Sequence, residues 1–193
     1  MKFNKEVKKI SDRWNSLVEE KNPVMVELLN EVQSSLLKNL THVQDFDKIT
    51  IDNKPGIYCF FIDTFDFKNS PEFCKSWDAN YKNNKKLKGL TRPTDLRFKE
   101  PQNRGADSGK TIFYIGKRRE LKSRLKQHIT HTDSSTYGLK LNRKGAEEFK
   151  KQMYFSYWYL PEIDKIDIVF TDMMLTTIEH QLIDKWNPRV GNK

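Results

Sequence analysis

The sequence predicts an α+β fold, a small central sheet flanked by helices, with a helical pair in front of it. Three observations carry that expectation. Two short runs, 55–62 and 111–116, are apolar and rich in aromatic and β-branched residues, as buried strands are. The stretches 23–43 and 172–186 repeat their apolar residues at helical spacing. No internal repeat or low-complexity tract breaks up the 193 residues, a length that suits one domain with an extension.

In chain order, residues 5–20 and 23–40 read as two helices. Pro23 opens the second, where a missing N–H costs nothing. Met25, Leu29, Val32, Leu36, Leu40 and Val43 recur at steps of 4, 3, 4, 4 and 3, one continuous apolar stripe. That stripe packs on the rest of the fold or, as the lesser alternative, forms a dimer seam. The turn-like Asp52-Asn53-Lys54 precedes the strand Pro55–Ile62. Thr111–Gly116 is its counterpart. Residues 65–110 between them form an insertion, and 82–110 read as a long basic loop with nine Lys/Arg, three acids and two prolines. A helix follows at 118–130 and a short one at 144–150. Met153–Leu160 and Ile166–Phe170 are strand candidates. The last helix, 172–186, takes Thr171 or Asp172 as its N-cap and stops at Pro188. Residues 1–50 thus form an N-terminal helical extension, and 51–193 the main domain.

The net charge is +9, unevenly placed. Residues 1–50 are neutral, 51–110 carry +4, 111–151 carry +7 and 152–193 carry −2. Concentrated positive charge points to an anionic partner, although any single Lys-rich stretch is usually a solvated face. An aromatic content of 12% argues against disorder. Cys59 and Cys74 lack metal-ligand spacing, which excludes a zinc finger. No apolar run reaches membrane-spanning length and the N-terminus lacks a secretory core. A soluble, cytoplasmic protein of a reducing compartment is expected, with no membrane partner.

Four polar features interrupt apolar faces. Glu179 falls about 40° from Leu175 on the last helix, within the arc of Ile178, Leu182 and Trp186. A carboxylate there is costly unless it is paired or holds a metal. Arg124 and His128 stand one turn apart beside the Leu121, Leu125 and Ile129 stripe. They read either as a snorkelling cation with a satisfied histidine or as a paired functional set. Lys117, Arg118, Arg119 and Lys122 make the same segment resemble a phosphate-facing surface. Tyr58 and Tyr114 lie inside the two strands, where each hydroxyl needs a partner.

Gly56-Ile57-Tyr58 and Tyr114-Ile115-Gly116 resemble the two signature tripeptides of the GIY-YIG nuclease superfamily. Arg124 with His128 is similar to the helix of its stand-alone, restriction-enzyme-like members. Glu179 is similar to the superfamily's metal-binding glutamate, and Leu182-Ile183-Asp184-Lys185-Trp186-Asn187-Pro188-Arg189 to the segment after it. The resemblance covers 55–64 and 111–192. It departs from the family pattern in two ways. Tyr58 and Tyr114 stand 56 residues apart, so the insertion separates paired strands. Gly191 stands where the family often has an asparagine, with Asn187 and Asn192 as alternatives.

The resemblance implies a Mg²⁺- or Mn²⁺-dependent endonuclease that hydrolyses DNA phosphodiester bonds. Its candidate catalytic set is Tyr58, Tyr114, Arg124, His128 and Glu179. Glu179 anchors the metal, Arg124 contacts the scissile phosphate, and Tyr58 is the general base. A tyrosine is a poor base unless neighbouring cations lower its pKa. Candidate DNA contacts are Lys117, Arg118, Arg119 and Lys122, with Lys85, Lys86 and Lys88 of the insertion. A restriction-like or mobile-element role is favoured, with a repair or recombination nuclease second. A nucleic-acid-binding module without turnover is the alternative outside the enzymes. Cutting a duplex takes two scissions, so a homodimer or sequential nicking is expected.

Overall fold

The computed structural model describes residues 2–19, 22–63, 70–77, 110–130, 137–162 and 167–191. Lys85, Lys86, Lys88 and Asn192 lie outside these, as does nearly all of the basic loop 82–110.

Two helices lead the chain, α1 (Lys2–Val18) and α2 (Pro23–Lys38). Asn22 caps α2 by accepting from the Val24 and Met25 N–H groups, at 3.0 and 3.4 Å. The short strand β1 (Thr41–His42) and a 3₁₀ turn (Val43–Lys48) follow. Then come β2 (Gly56–Ile62), α3 (Ser70–Trp77), β3 (Thr111–Arg118), α4 (Leu121–Ile129), α5 (Glu147–Lys151), β4 (Met153–Tyr159) and α6 (Ile168–Trp186). The four strands make one antiparallel sheet in the order β1-β4-β2-β3. The class is α+β, as the sequence predicts.

Every residue of β2 is buried because the strand is central and both faces are covered. Its side chains alternate, as pleating requires. Ile57, Cys59 and Phe61 join a cluster with Val32 and Leu36 of α2 and Leu175, Ile178 and Leu182 of α6. Tyr58, Phe60 and Ile62 face the other layer, with Phe73 and Trp77 of α3, Leu121 and Leu125 of α4, and Phe149 of α5. Val43, Phe46 and Ile51 belong to that second layer, so residues 41–51 share the sheet and core of the main domain.

Four local expectations are corrected. The strand candidate Ile166–Phe170 is helical from Ile168 onward. The N-cap of α6 is Asp167, which accepts from the Val169 N–H at 2.7 Å, rather than Thr171 or Asp172. Asp167 can satisfy orphan amides, and that outweighs the β-propensity of Ile168-Val169-Phe170. The helix assigned to 118–130 begins only at Leu121, because Gly56 and Ile57 pair with Arg118 and Lys117 and prolong β3. Val43 lies past the end of α2, in the 3₁₀ turn.

The register of β3 shifts beside the tyrosines. Phe60 pairs with Tyr114 but Phe61 pairs with Ile112, leaving Phe113 as an extra residue. This bulge puts Phe113 and Tyr114 on the same side of the sheet, while Ile112 and Ile115 face the other. Tyr114 is thereby brought onto the face of Tyr58. The C-terminal tail then crosses the edge of β3, where Arg189 and Val190 donate to the Ile112 and Phe113 carbonyls at 3.3 and 2.8 Å.

Candidate active site

The site is built from β2, β3 and α4. The turn before β2 fixes α4 in place. Leu121 N–H donates to the Lys54 carbonyl at 3.2 Å, and Ser123 N–H to Asn53 Oδ1 at 3.1 Å. Glu120, at the N-cap, makes no side-chain cap of its own, so Asn53 supplies it from a distance. The Asp52-Asn53-Lys54 turn thus sets the helix that carries Arg124 and His128 against the strand that carries Tyr58.

Both signature glycines mark close approaches. A Cβ on Gly56 would meet the Trp158 carbonyl oxygen at 2.2 Å and Leu121 Cδ1 at 2.7 Å. A Cβ on Gly116 would stand 2.3 Å from Tyr58 Oη. Gly116 is the cross-strand partner of Tyr58, and its missing side chain is the space that the hydroxyl occupies.

Tyr58 is 1% exposed and His128 is fully buried. Tyr58 Oη lies 2.9 Å from His128 Nε2 and 3.3 Å from Arg124 Nε. The Leu139 backbone N–H donates to His128 Nδ1 at 3.0 Å. An amide N–H cannot accept, so Nδ1 carries no proton and the neutral ring holds its proton on Nε2. Nε2–H therefore donates to Tyr58, as does Arg124 Nε–H. The Tyr58 oxygen receives two hydrogen bonds, and its own O–H points to a third partner. Burial, and next the charge of Arg124, hold the His128 imidazole well below its ordinary pKa, in keeping with this neutral form.

Both ring nitrogens are engaged, so His128 orients the hydroxyl and has no vacant position for a further proton. Burial raises the Tyr58 hydroxyl well above 10, against the opposing pull of Arg124. The half-buried Tyr114 has its ring centroid 6.0 Å from that of Tyr58. It lies close enough to both Tyr58 and Arg124 for side-chain hydrogen bonding. Arg124 is also held by Gln127 Oε1, which accepts from Nη1 at 3.0 Å.

Glu179 approaches from α6, on the far layer of the sheet. Its carboxyl accepts a hydrogen bond from the Lys117 backbone and feels the charges of Lys117 and Arg124. No ion pair to Glu179 is found among the described residues. Burial outweighs those attractions and pushes it up to about 7. A cavity of about 430 Å³ is lined by Lys117, Arg118, Arg119, Glu120, Asp172 and Leu175; Glu179 is not part of that lining and is linked to it through Lys117. Among the described residues no three His, Cys, Asp or Glu side chains cluster as a ready metal cage.

Of the expected DNA contacts, Arg118 and Lys122 are exposed and Lys117 is half-buried. Arg119 is engaged with Asp172 in a two-pronged ion pair, Nε to Oδ1 at 2.7 Å with Nη2 to Oδ2 alongside. Asn187 ends α6 in the left-handed conformation (φ 44°), its N–H on the Ile183 carbonyl. This is a capping role, distinct from the one the resemblance left open for it. Leu139 and Asn53 were not legible as site residues, since one acts through its backbone N–H and the other from a turn remote in sequence.

No family model, curated protein or solved structure matches the chain. No helix among the described residues is long and apolar enough to cross a membrane.

Proposed function

We propose that this protein is a metal-dependent endonuclease of the GIY-YIG type, acting on DNA. The observation that carries the proposal is the buried Tyr58 hydroxyl, held by His128 and Arg124, with the half-buried Glu179 carboxyl within the field of Arg124 and without an ion-pair partner among the described residues. Structural ion pairs bury carboxylates against cations at contact distance, and Glu179 lacks such a cation among the described residues. The charge of +7 over residues 111–151 suits a polyanionic substrate.

The donor set fits a hydrated divalent ion. Magnesium keeps several waters and takes one or two carboxylates plus substrate oxygens, so the single carboxylate of Glu179 is compatible with holding it. Bound Mg²⁺ or Mn²⁺ supplies Lewis-acid stabilisation of charge on the phosphate oxygens. Arg124 contributes permanent positive charge at the phosphate. Tyr58 takes the proton of the attacking water, and the His128 Nε2–H and Arg124 Nε–H bonds stabilise the phenolate that this requires. His128 acts through Tyr58 as a positioning residue. Lys117, Arg118 and Lys122 hold the flanking backbone. A restriction-like or mobile-element role is the favoured setting for such a nuclease, with repair or recombination second.

One observation favours a DNA-binding module without turnover. Burial keeps the Tyr58 hydroxyl protonated in neutral solution. Incubating supercoiled plasmid with purified protein decides between the two. A nuclease converts the plasmid to nicked or linear forms with Mg²⁺, not with EDTA, and Glu179→Ala abolishes the conversion. Binding without any cleavage in Mg²⁺ or Mn²⁺ refutes the enzymatic proposal.

A further inference from the structure

Arg143 is a buried cation outside the set described above. Only 3% of it is exposed, and it lies between α4 and α5 in a segment without regular structure. Its Nη1 donates to the Leu139 and Lys140 carbonyls at 2.8 and 3.1 Å. Its Nη2 donates to the Trp77 carbonyl, at the end of α3, at 2.7 Å. The guanidinium carbon lies 4.1 Å from the centre of the Trp77 ring. One planar group thus ties the 139–140 turn to α3 by three hydrogen bonds and a stacked face. Only arginine has the fork for this, since lysine is a point donor.

The turn it grips is the one that holds His128. Leu139 N–H bonds Nδ1 of the ring, and Leu141 N–H bonds the His128 carbonyl at 2.9 Å. Lys140, between them, takes a left-handed backbone (φ 49°), an uncommon conformation for a non-glycine residue that its surroundings must enforce. The carbonyls gripped by Arg143 are those of Leu139 and Lys140, so the clamp acts on the strained step itself.

We propose that Arg143 is a positioning residue for Tyr58. It clamps the 139–141 turn to α3 and so fixes His128 as the Nε2–H tautomer that donates to the Tyr58 hydroxyl. Four links make the chain: Trp77 to Arg143, Arg143 to Leu139, Leu139 to His128 and His128 to Tyr58. Docking of α3, the helix that opens the insertion between the two tyrosine strands, thereby becomes a condition for a correctly held Tyr58. The kinetic consequence rests on the proposed nuclease function, whereas the tautomer does not.

The test uses the full chain labelled with ¹⁵N, reading the His128 ring nitrogens by long-range proton–nitrogen correlation at neutral pH. Wild type is expected to show protonated Nε2 and bare Nδ1. Arg143→Lys keeps the charge but loses the fork, and should move both nitrogens toward an averaged state. Trp77→Phe keeps the core filled but trims the stacked ring, and should shift them the same way by less. In cleavage assays Arg143→Lys should lower kcat by about tenfold or more while KM and DNA affinity stay near wild type. A wild-type ring protonated on Nδ1 overturns the proposal, as do wild-type nitrogen signals in both variants. A wild type that cleaves no DNA refutes the nuclease function alone, and the nitrogen signals still decide the clamp.

Discussion

Gly116 stands directly across from Tyr58, and a single added methyl there would occupy the position of the tyrosine hydroxyl, 2.3 Å from Oη. The ring cannot swing aside, because Phe60 and His128 pack around it with centroids at 6.1 and 5.3 Å. Gly116→Ala should therefore displace Tyr58 from both donors. Overpacking of this kind typically costs about 1–3 kcal/mol. Urea unfolding should report that loss, and cleavage should fall further than the loss of folded protein explains. An alanine variant with wild-type stability and activity would show that the space is not tight.

Glu179→Gln should separate stability from catalysis. In the folded chain burial pushes this carboxyl up to about 7 from its ordinary 4.5. At pH 8 the native state must then hold an ionised, desolvated carboxylate, a penalty of about 3 kcal/mol. Glutamine keeps the shape and removes the charge. The variant should melt above wild type at pH 8 without metal, bind DNA normally and fail to cleave. A variant that melts well below wild type yet still nicks DNA would return Glu179 to a structural ion-pair role.

Two buried groups should give the fold opposing pH dependences. Between pH 4.5 and about 7 the folded chain holds an extra proton on Glu179, so stability from this group falls as pH rises. His128 stays neutral when folded but takes a proton near 6.5 when unfolded, so stability from this group falls as pH drops below 6.5. Glu179→Gln should leave a stability that climbs with pH from 5 to 7, and His128→Asn one that declines. Denaturant midpoints at pH 5, 6, 7 and 8 give the slopes. Variant slopes parallel to wild type would contradict the burial of both groups.

The basic surface should divide by its pairing. Arg118 and Lys122 are exposed, whereas the charge of Arg119 is already met by Asp172. Arg118→Gln and Lys122→Gln should each reduce the salt slope of DNA binding by about one unit per lost phosphate contact. Arg119→Gln should change it less, and Asp172→Asn should raise affinity by freeing Arg119. Equal slopes for all three arginine and lysine variants would show that the ion pair opens on DNA.

The two tyrosine strands and the polar residues on apolar faces were legible from side-chain type and spacing alone. Tyr58, Arg124 and His128 do meet, and the same logic brought Glu179 to the edge of β3. Three kinds of feature were not legible. The bulge at Phe113 depends on cross-strand register, which a period-two pattern does not encode. The start of α6 turned on a side-chain cap from Asp167 competing with three β-prone residues. The tautomer of His128 is set by the backbone N–H of Leu139, a group every residue but proline possesses, so no residue type could mark it. Arg143 reads in the sequence as one more surface cation, and only the path of the chain buries it against Trp77.

The central claim is that the Tyr58 hydroxyl, presented by two donors, carries the chemistry. Tyr58→Phe removes that oxygen and keeps the ring in the core. Its single-turnover rate on supercoiled DNA with saturating Mg²⁺ is the most direct measurement. The rate should fall by about a hundredfold or more while DNA affinity remains that of wild type. A Tyr58→Phe protein that cuts at the wild-type rate would contradict the claim outright.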